Sequence, residues 1–243
     1  MAQPGTFTEA DFTMVPGQMG PKSARALLAV QETISSWATP YAYLEIGSYA
    51  GRSLSMHVRD PDCTYALSVD LRPEVTGDER GDVTGYNLIT DQMMRDNLRV
   101  VCSDQDMAKL ESITGTSADV AQRKSRRKFD LAFIDAEHTV RAVVADFLNI
   151  LPAMKADAMI GFDDTLIVYP ALEAASACLA HRGLRHRVVY TRANIGLILL
   201  GRYVDRELLM RPRLLSSADE ARDRFHRFYA ETVLRPAGTK RSA

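Results

Sequence analysis

Cysteine is scarce in this chain, and the scarcity removes several kinds of site at once. Only Cys63, Cys102 and Cys178 occur among 243 residues, and no two form a C-x-x-C pair. Zinc ribbons and thioredoxin-type redox centres need such pairs, so neither is expected. A sparse, odd count fits a reducing compartment, with the thiols buried and inert. Long apolar runs are also missing. Nothing approaches the roughly 18–20 residues of a membrane helix. The opening MAQPGTFTEADF has neither the basic start nor the apolar stretch of a signal peptide. A cytoplasmic protein with no membrane partner is therefore expected. Nor is there an excess of either charge. Thirty basic against 31 acidic residues leave a net charge of -1, which gives no general attraction to nucleic acid. No internal repeat is visible. What remains is ordinary globular composition, 46% hydrophobic and 25% charged, in a length that suits one large domain.

Short apolar runs alternate with helical patterns from about residue 25 to residue 202. Residues 25–37 carry apolar side chains at helical spacing. Strands are expected at 41–46 (YAYLEI), 64–71 (TYALSVDL), 98–102 (LRVVC), 129–134 (FDLAFI) and 158–162 (AMIGF). Helices are expected between them at 53–58, 86–97 and 139–151, and after the fifth strand, with Pro170 in the first turn and Gly183 at the stop. Strands covered on both faces lose polar alternation, so these read as a doubly wound parallel sheet. Residues 185–191 and 195–200 follow with only three residues between them. A parallel crossover needs a dozen or more, so this pair should be an antiparallel hairpin. The expected fold is α/β: a Rossmann-like, mostly parallel sheet of seven strands, helices on both faces, and a C-terminal antiparallel hairpin. Residues 1–24 read as an N-terminal lid, 25–202 as the main domain and 203–243 as a helical extension. Residues 112–128 read as a polar connector.

Two constellations carry chemistry. The first is E-x-G-x-x-x-G, from Glu45 through Gly47 to Gly51, at the end of the first strand. Gly47 permits a tight strand-to-helix turn, and Gly51 lets a ligand approach the backbone. A dinucleotide fingerprint needs a central glycine for the pyrophosphate. Here Ser48 and Tyr49 stand there instead. Asp70 closes the second strand, where a carboxylate can accept from both ribose hydroxyls. Together these features point to a nucleoside ligand. LEIGSYAGRS and SVDL resemble the first two motifs of class I S-adenosylmethionine-dependent methyltransferases. The resemblance implies S-adenosylmethionine as cofactor, with Glu45, Gly47, Ser48, Tyr49, Gly51 and Ser53 around its methionine part. It also implies Asp70 and Leu71 at the ribose, Ser103 and Asp104 near the adenine, and Asp135 beside the methyl donor.

The second constellation is Asp135, His138, Asp163 and Asp164, at the ends of the fourth and fifth strands. Ligands of open parallel sheets bind at those ends. Clustered carboxylates repel one another, and a hard divalent cation relieves this. Plainer readings stand beside it: Asp164 capping the next helix, Asp163 binding backbone N–H groups, Glu137 solvated, and His138 structural. FDLAFIDAEHTV with GFDDT is similar to the bacterial small-molecule O-methyltransferases of the macrolide-sugar type. Catechol O-methyltransferase shares the general arrangement. The resemblance implies magnesium on Asp135, Asp163 and Asp164, with His138 and Asp135 catalytic and His138 the general base. This chain departs from the pattern in its Asp-Asp pair, where relatives carry Glu-Asp or Asp-Asn, and the metal stays open. The implied reaction is methyl transfer to a hydroxyl of a small-molecule acceptor. An NAD-binding oxidoreductase and a non-catalytic cofactor-binding protein are the alternatives.

Other signals are read conservatively. The basic segment 123–128 (RKSRRK) is expected to be solvated rather than bound to nucleic acid. The helix at 217–234 opens with a Ser217-x-x-Glu220 capping box. It aligns Ala221, Phe225, Phe228 and Tyr229 on one face, for core packing or for a homo-oligomer contact. Met14, Met19 and Tyr49 are expected to close over the ligand. The acceptor pocket is expected from the lid, residues 72–85, the 166–169 loop and the tail, which are the least patterned parts.

Overall fold

The computed structural model describes residues 7–72, 88–123 and 127–234. Short α1 (Glu9–Thr13) and long α2 (Pro21–Trp37) precede the sheet. Then follow β1 (Tyr41–Ile46), α3 (Arg52–Arg59), β2 (Cys63–Asp70), α4 (Asp91–Arg99), α5 (Asp104–Met107), β3 (Leu110–Thr114), α6 (Ser117–Gln122), β4 (Phe129–Ile134) and α7 (Val140–Ile150). The chain continues through β5 (Met154–Phe162), α8 (Thr165–His181), β6 (His186–Thr191), β7 (Gly196–Leu200), β8 (Leu215–Ser216) and α9 (Ala218–Thr232). The strand order is β3-β2-β1-β4-β5-β7-β6-β8. The first five strands pair in parallel, while β5/β7, β7/β6 and β6/β8 are antiparallel. Alternate side chains of β1 and β4 enter two different cores. Tyr41, Tyr43, Leu131 and Phe133 pack with α1 to α4, and Ala42, Leu44, Ala132 and Ile134 pack with α6 to α9. That is why these strands are apolar at nearly every position.

The doubly wound sheet with a terminal hairpin is as expected, but several elements differ. The sheet has eight strands, not seven, because Leu215–Ser216 adds to the outer edge of β6. The third strand is Leu110–Thr114, not residues 98–102. Leu98 belongs to α4, and Cys102 N–H still donates to Leu98 O at 2.8 Å in a helical closing turn. The true β3 is an edge strand with one neighbour, so it needs no continuous apolar run and left none to read. Residues 112–128 are not a connector: they hold the end of β3 and all of α6, which opens with a Thr116/Asp119 capping box. The expected helix over 86–97 is described from Asp91, with Thr90 as its cap; residues 86–87 lie outside the described residues.

Pro170 stands in the first turn of the main part of α8, as expected, but one further turn from Thr165 precedes it across a kink. The helix starts at Thr165 and bends at Val168 (φ -105°, ψ 20°), where the missing proline N–H breaks the ladder. The expected 166–169 loop is therefore helical. Of the basic segment, residues 124–126 lie outside the described residues. Arg123 pairs with Glu111 at 2.8 Å, and the Arg127 guanidinium lies 4.1 Å from the Tyr65 ring centroid. In α9, Ser217 accepts from Glu220 N–H at 3.1 Å, and Phe225 stacks on Tyr169 at 5.7 Å. Its apolar face is thus built into the core against α8. Cys63 and Cys102 are buried, which pushes their thiols up to about 12 and about 11 and makes them poor nucleophiles; Cys178 is half-buried. Among the described residues no helix is long and apolar enough to cross a membrane.

Candidate functional site

The site forms where five parallel strands end side by side. β1 leaves the sheet through Gly47 (φ 86°), whose N–H donates to Val69 O of β2 at 2.8 Å. A Cβ on Gly47 would lie 2.2 Å from Asp135 O, so the turn rests directly on the exit of β4. Asp135 N–H donates to Ile46 O at 2.8 Å, and Asp163 N–H to Ile134 O at 3.0 Å. These bonds carry the parallel register past the strand ends and bring the acidic residues together. Gly51 (φ 95°) starts α3, and Tyr49 also adopts positive φ (44°). Such a turn needs outside support. Asp70 supplies it by accepting from Tyr49 N–H at 2.6 Å. Arg72 adds to it from a buried position, donating to Ser48 Oγ at 2.6 Å and to Tyr49 O at 3.4 Å. Sequence reading missed Arg72 because a lone arginine after a strand carries no signal.

Two cavities meet at this turn. One, about 380 Å³, runs over the ends of β1, β2, β3 and β4; Gly47, Tyr49, Asp70, Leu71, Asp135 and His138 all line it. The other, about 330 Å³, shares Gly47, Tyr49, Asp135 and His138 and adds Ser48, Ser53, Asp163 and Asp164. Its far wall is Gln18, Met19 and Ser23 of the N-terminal segment. Arg52 holds that wall by donating to Val15 O at 2.7 Å and Met19 O at 3.0 Å. Met14 is not part of either wall: it is 56% exposed, at the end of α1.

The acidic cluster and His138 converge as their sequence positions suggested. His138 Nε2 lies 3.2 Å from Asp135 Oδ1, and Nδ1 lies 3.5 Å from Asp164 Oδ2. Asp135, His138 and Asp163 each offer a ligand atom within 4.8 Å of the others. Asp164 sits outside that trio. It occupies the cap position of α8 with φ 48°, yet its side chain makes no capping bond and faces His138 instead. Burial holds the Asp135 and Asp163 carboxyls well above the usual carboxylate range, and repulsion from neighbouring acids adds to this. Glu137 is half-buried and accepts from Thr139 Oγ1 at 2.8 Å.

Four residues expected at the cofactor, Glu45, Gly51, Ser103 and Asp104, line neither cavity; a Cβ on Gly51 would meet Leu98 at 3.2 Å and Met94 at 3.3 Å, so the close approach it permits is to α4. Glu45 is fully buried beneath the turn and lines neither cavity; it accepts from Tyr43 OH at 2.7 Å and from Ser53 Oγ. Burial pushes its carboxyl up to about 7. The unfolded chain, with an ordinary value of 4.5, releases this proton first as pH rises. Ionised Glu45 then costs about 3 kcal/mol of stability above pH 7, a cost absent below pH 4.5. Glu45→Gln should reduce the fall in unfolding free energy between pH 5 and pH 8 by about 3 kcal/mol, measured by chemical denaturation, with the remaining fall coming from the other raised carboxyls, Asp135, Asp163 and Asp146; an equal fall in both proteins would contradict it. Ser103 stands at the start of α5, with Asp104 beside it. It caps α5 in a box with Asp106 and lines neither cavity, because β3 begins after it and not before. The place it was expected to fill, after β3, belongs to Gly115, Thr116 and Ser117. The Thr116-x-x-Asp119 capping box was the available signal for them.

Comparison with known proteins agrees with this geometry. A family model described as a methyltransferase domain matches residues 44–165. No curated protein matches in sequence. Among solved structures, cofactor-bound Rv0187 from MTB superposes with TM-score 0.54 at 16% identity, over 82% of this chain and 90% of that one. The O-methyltransferase NovP gives TM-score 0.59 at 12% identity, over 74% and 81%. The O-methyltransferase from Bacillus cereus, in complex with SAH, gives 0.50 at 15% identity, over 79% and 86%. At such identities the structural likeness establishes the fold. With the glycine turn, the β2 carboxylate and the sequence match from Leu44 to Thr165 all in one place, the chain belongs to the methyltransferase-domain family.

Proposed function

We propose that this protein transfers a methyl group from S-adenosylmethionine to a hydroxyl oxygen of a small-molecule acceptor. One observation carries the reading: Asp70, the Gly47 turn and the Asp135/His138 pair all open onto one crevice, which leads into a second chamber. That order suits a nucleoside held at one end, a sulfonium at the turn and an acceptor beyond it. Cofactor-bound and SAH-bound structures of the same fold support the donor, and the O-methyltransferases among them support oxygen as acceptor atom.

Each residue then has a role. Asp70 holds the ribose hydroxyls while fixing Tyr49. Gly47, Ser48, Tyr49 and Ser53 shape the methionine end, with Gly51 starting α3 behind them and Glu45 fixing Ser53 from below. Asp135 borders the reacting centre, and His138 takes the hydroxyl proton. The oxygen lone pair attacks the methyl carbon, the carbon–sulfur bond breaks, and S-adenosylhomocysteine leaves. Alignment of oxygen, carbon and sulfur supplies much of the rate. The segment 17–20 and Ser23 form the wall on the acceptor side.

The acidic cluster fits a divalent cation. Its donors are hard oxygens, and both Asp135 and Asp163 are held in protonated-prone surroundings that a nearby positive charge would reverse. Asp135 and Asp163 would hold magnesium, with Asp164 or His138 at its margin. When bound, it would lower the pKa of an acceptor hydroxyl.

Isothermal titration with S-adenosylhomocysteine and NADH side by side tests the cofactor. Binding of NADH alone would overturn the proposal. Asp70→Ala should weaken S-adenosylhomocysteine about 30- to 1000-fold, the loss of two hydrogen bonds to a charged acceptor. An unchanged Kd would remove Asp70 from the ribose.

A further inference from the structure

The three-residue link between β6 and β7, Arg192-Ala193-Asn194, lies behind the acceptor side of the site and is bonded to three other parts of the chain. Ala193 is buried, and its carbonyl accepts from Ser23 Oγ at 3.3 Å. Ser23 belongs to α2 and lines the second chamber. Asn194 O accepts at 2.8 Å from the N–H of Thr165, which opens α8 directly after Asp164. From the far side, Arg224 of α9 donates to Thr191 O at 2.8 Å and to Asn194 Oδ1 at 3.5 Å. Thr191 is buried and closes the link on itself. Its Oγ1 accepts from the N–H groups of Ala193 and Ile195 at 3.2 and 3.1 Å.

This link is where backbone strain gathers. Asp164 (φ 48°) and Asn194 (φ 64°) both hold positive φ, and the bond from Thr165 N–H to Asn194 O joins them. Left-handed backbone is unfavourable for a residue with a Cβ. Asp164 also stands at a cap position without using its side chain as a cap. Its carboxylate lies instead 3.5 Å from His138 Nδ1. Such a conformation persists only where its surroundings over-determine it. Asn194 O provides that support and occupies one of the four N–H groups that open a helix.

Arg224 is a costly residue to place here. Among the described residues it forms no ion pair, its Nε is buried without a hydrogen-bond partner, and burial holds its guanidinium below the usual arginine range. A methionine would fill the space without desolvating a charge. What methionine lacks is a planar fork that grips two oxygens at once.

We infer that Arg224 is a positioning residue: by gripping Thr191 and Asn194 it fixes the link, and the link fixes Asp164 against His138 and Ser23 in the chamber wall. The C-terminal helix thereby completes the acceptor side of the site, a task beyond its core packing. Its functional meaning rests on the proposed methyl transfer. Arg224 lines neither cavity, so it acts only through these neighbours.

Two NMR measurements on the full-length protein test this, and neither needs an acceptor. The first is amide exchange of wild type. Thr165 N–H should be protected at least about 10-fold more than Asp219 N–H, an exposed first-turn amide of α9, the effect of one hydrogen bond. Equal protection would mean that the link does not hold Asp164, which overturns the inference without any variant. The second follows the His138 ring proton, assigned among five histidines by its loss in His138→Ala. Asp164→Asn should displace this signal. Arg224→Met should displace it in the same direction and remove most of the Thr165 protection, while S-adenosylhomocysteine binds within a few-fold of wild type. An arginine that only stabilised the fold would shift the melting temperature and leave the His138 signal of the folded protein in place. That result in Arg224→Met overturns the inference and leaves the methyl-transfer reading intact. Failure of wild type to bind S-adenosylhomocysteine at all would overturn both.

Discussion

Replacing Gly47 by Ala should abolish cofactor binding and lower the stability of the domain. The added Cβ would lie 2.2 Å from Asp135 O and 2.5 Å from both the Cα and N of Ala136. These are backbone atoms at the exit of β4, not the tip of a flexible side chain, so relief requires one strand end to move. Positive φ adds its own cost of about 1 kcal/mol for any residue with a Cβ. Together the two effects should cost at least about 3 kcal/mol, a large share of the 5–15 kcal/mol typical of a domain. Gly183 provides the control. It also has positive φ (65°), but a Cβ there would meet nothing within 4 Å. Gly183→Ala should therefore show only the conformational cost and bind S-adenosylhomocysteine normally. Thermal melts and titration of both variants decide the matter. If Gly47→Ala melts and binds like Gly183→Ala, the contact between the turn and β4 has been misjudged.

His138→Ala should lower kcat about 100- to 10,000-fold while changing cofactor affinity by no more than a few-fold. That range is the usual contribution of a positioned general base. His138 borders both cavities, and Asp135 and Asp164 bracket its two ring nitrogens, which fixes the plane of the imidazole. The same variant separates two roles for this side chain. A base is not replaced by more metal, so turnover should stay low when magnesium is raised. Recovery at high magnesium would make His138 a ligand that the ion can dispense with. Unchanged kcat would remove it from the mechanism altogether. Single-turnover kinetics with saturating cofactor gives the cleanest reading, because it isolates the chemical step from product release.

Parts of this molecule were open to reading because their physics is local. β1 and β4 are apolar at nearly every position, since both of their faces are covered, and each ends at the candidate site. Gly47 had to be glycine for a turn at positive φ, and Asp70 follows on the next strand. The hairpin of β6 and β7 followed from a link too short for anything else. Elements decided by neighbours were misread. The polar edge strand β3 has only β2 to pair with, whereas residues 98–102 carry more apolar side chains and yet close α4. That exchange alone misplaced Ser103 and hid Ser117. Pro170 does open the main part of α8, but the extra turn from Thr165 that precedes it across the bend at Val168 left no periodic signal.

The amino-acid order by itself determined the doubly wound sheet, its terminal hairpin, the glycine turn and the convergence of Asp70, Asp135, His138 and Asp163 at the strand ends. Each follows from periodicity of 2 or 3.6, from φ limits, or from the rule that parallel strands end together. Only the tertiary structure decided that Glu45 lies beneath the site and not in it, that Arg72 braces the turn, that Arg52 fixes the outer wall, and that α9 brings Arg224 to the link between β6 and β7. Those placements depend on which faces of non-adjacent elements meet, and side-chain contacts across long sequence separation leave no periodic trace in the chain.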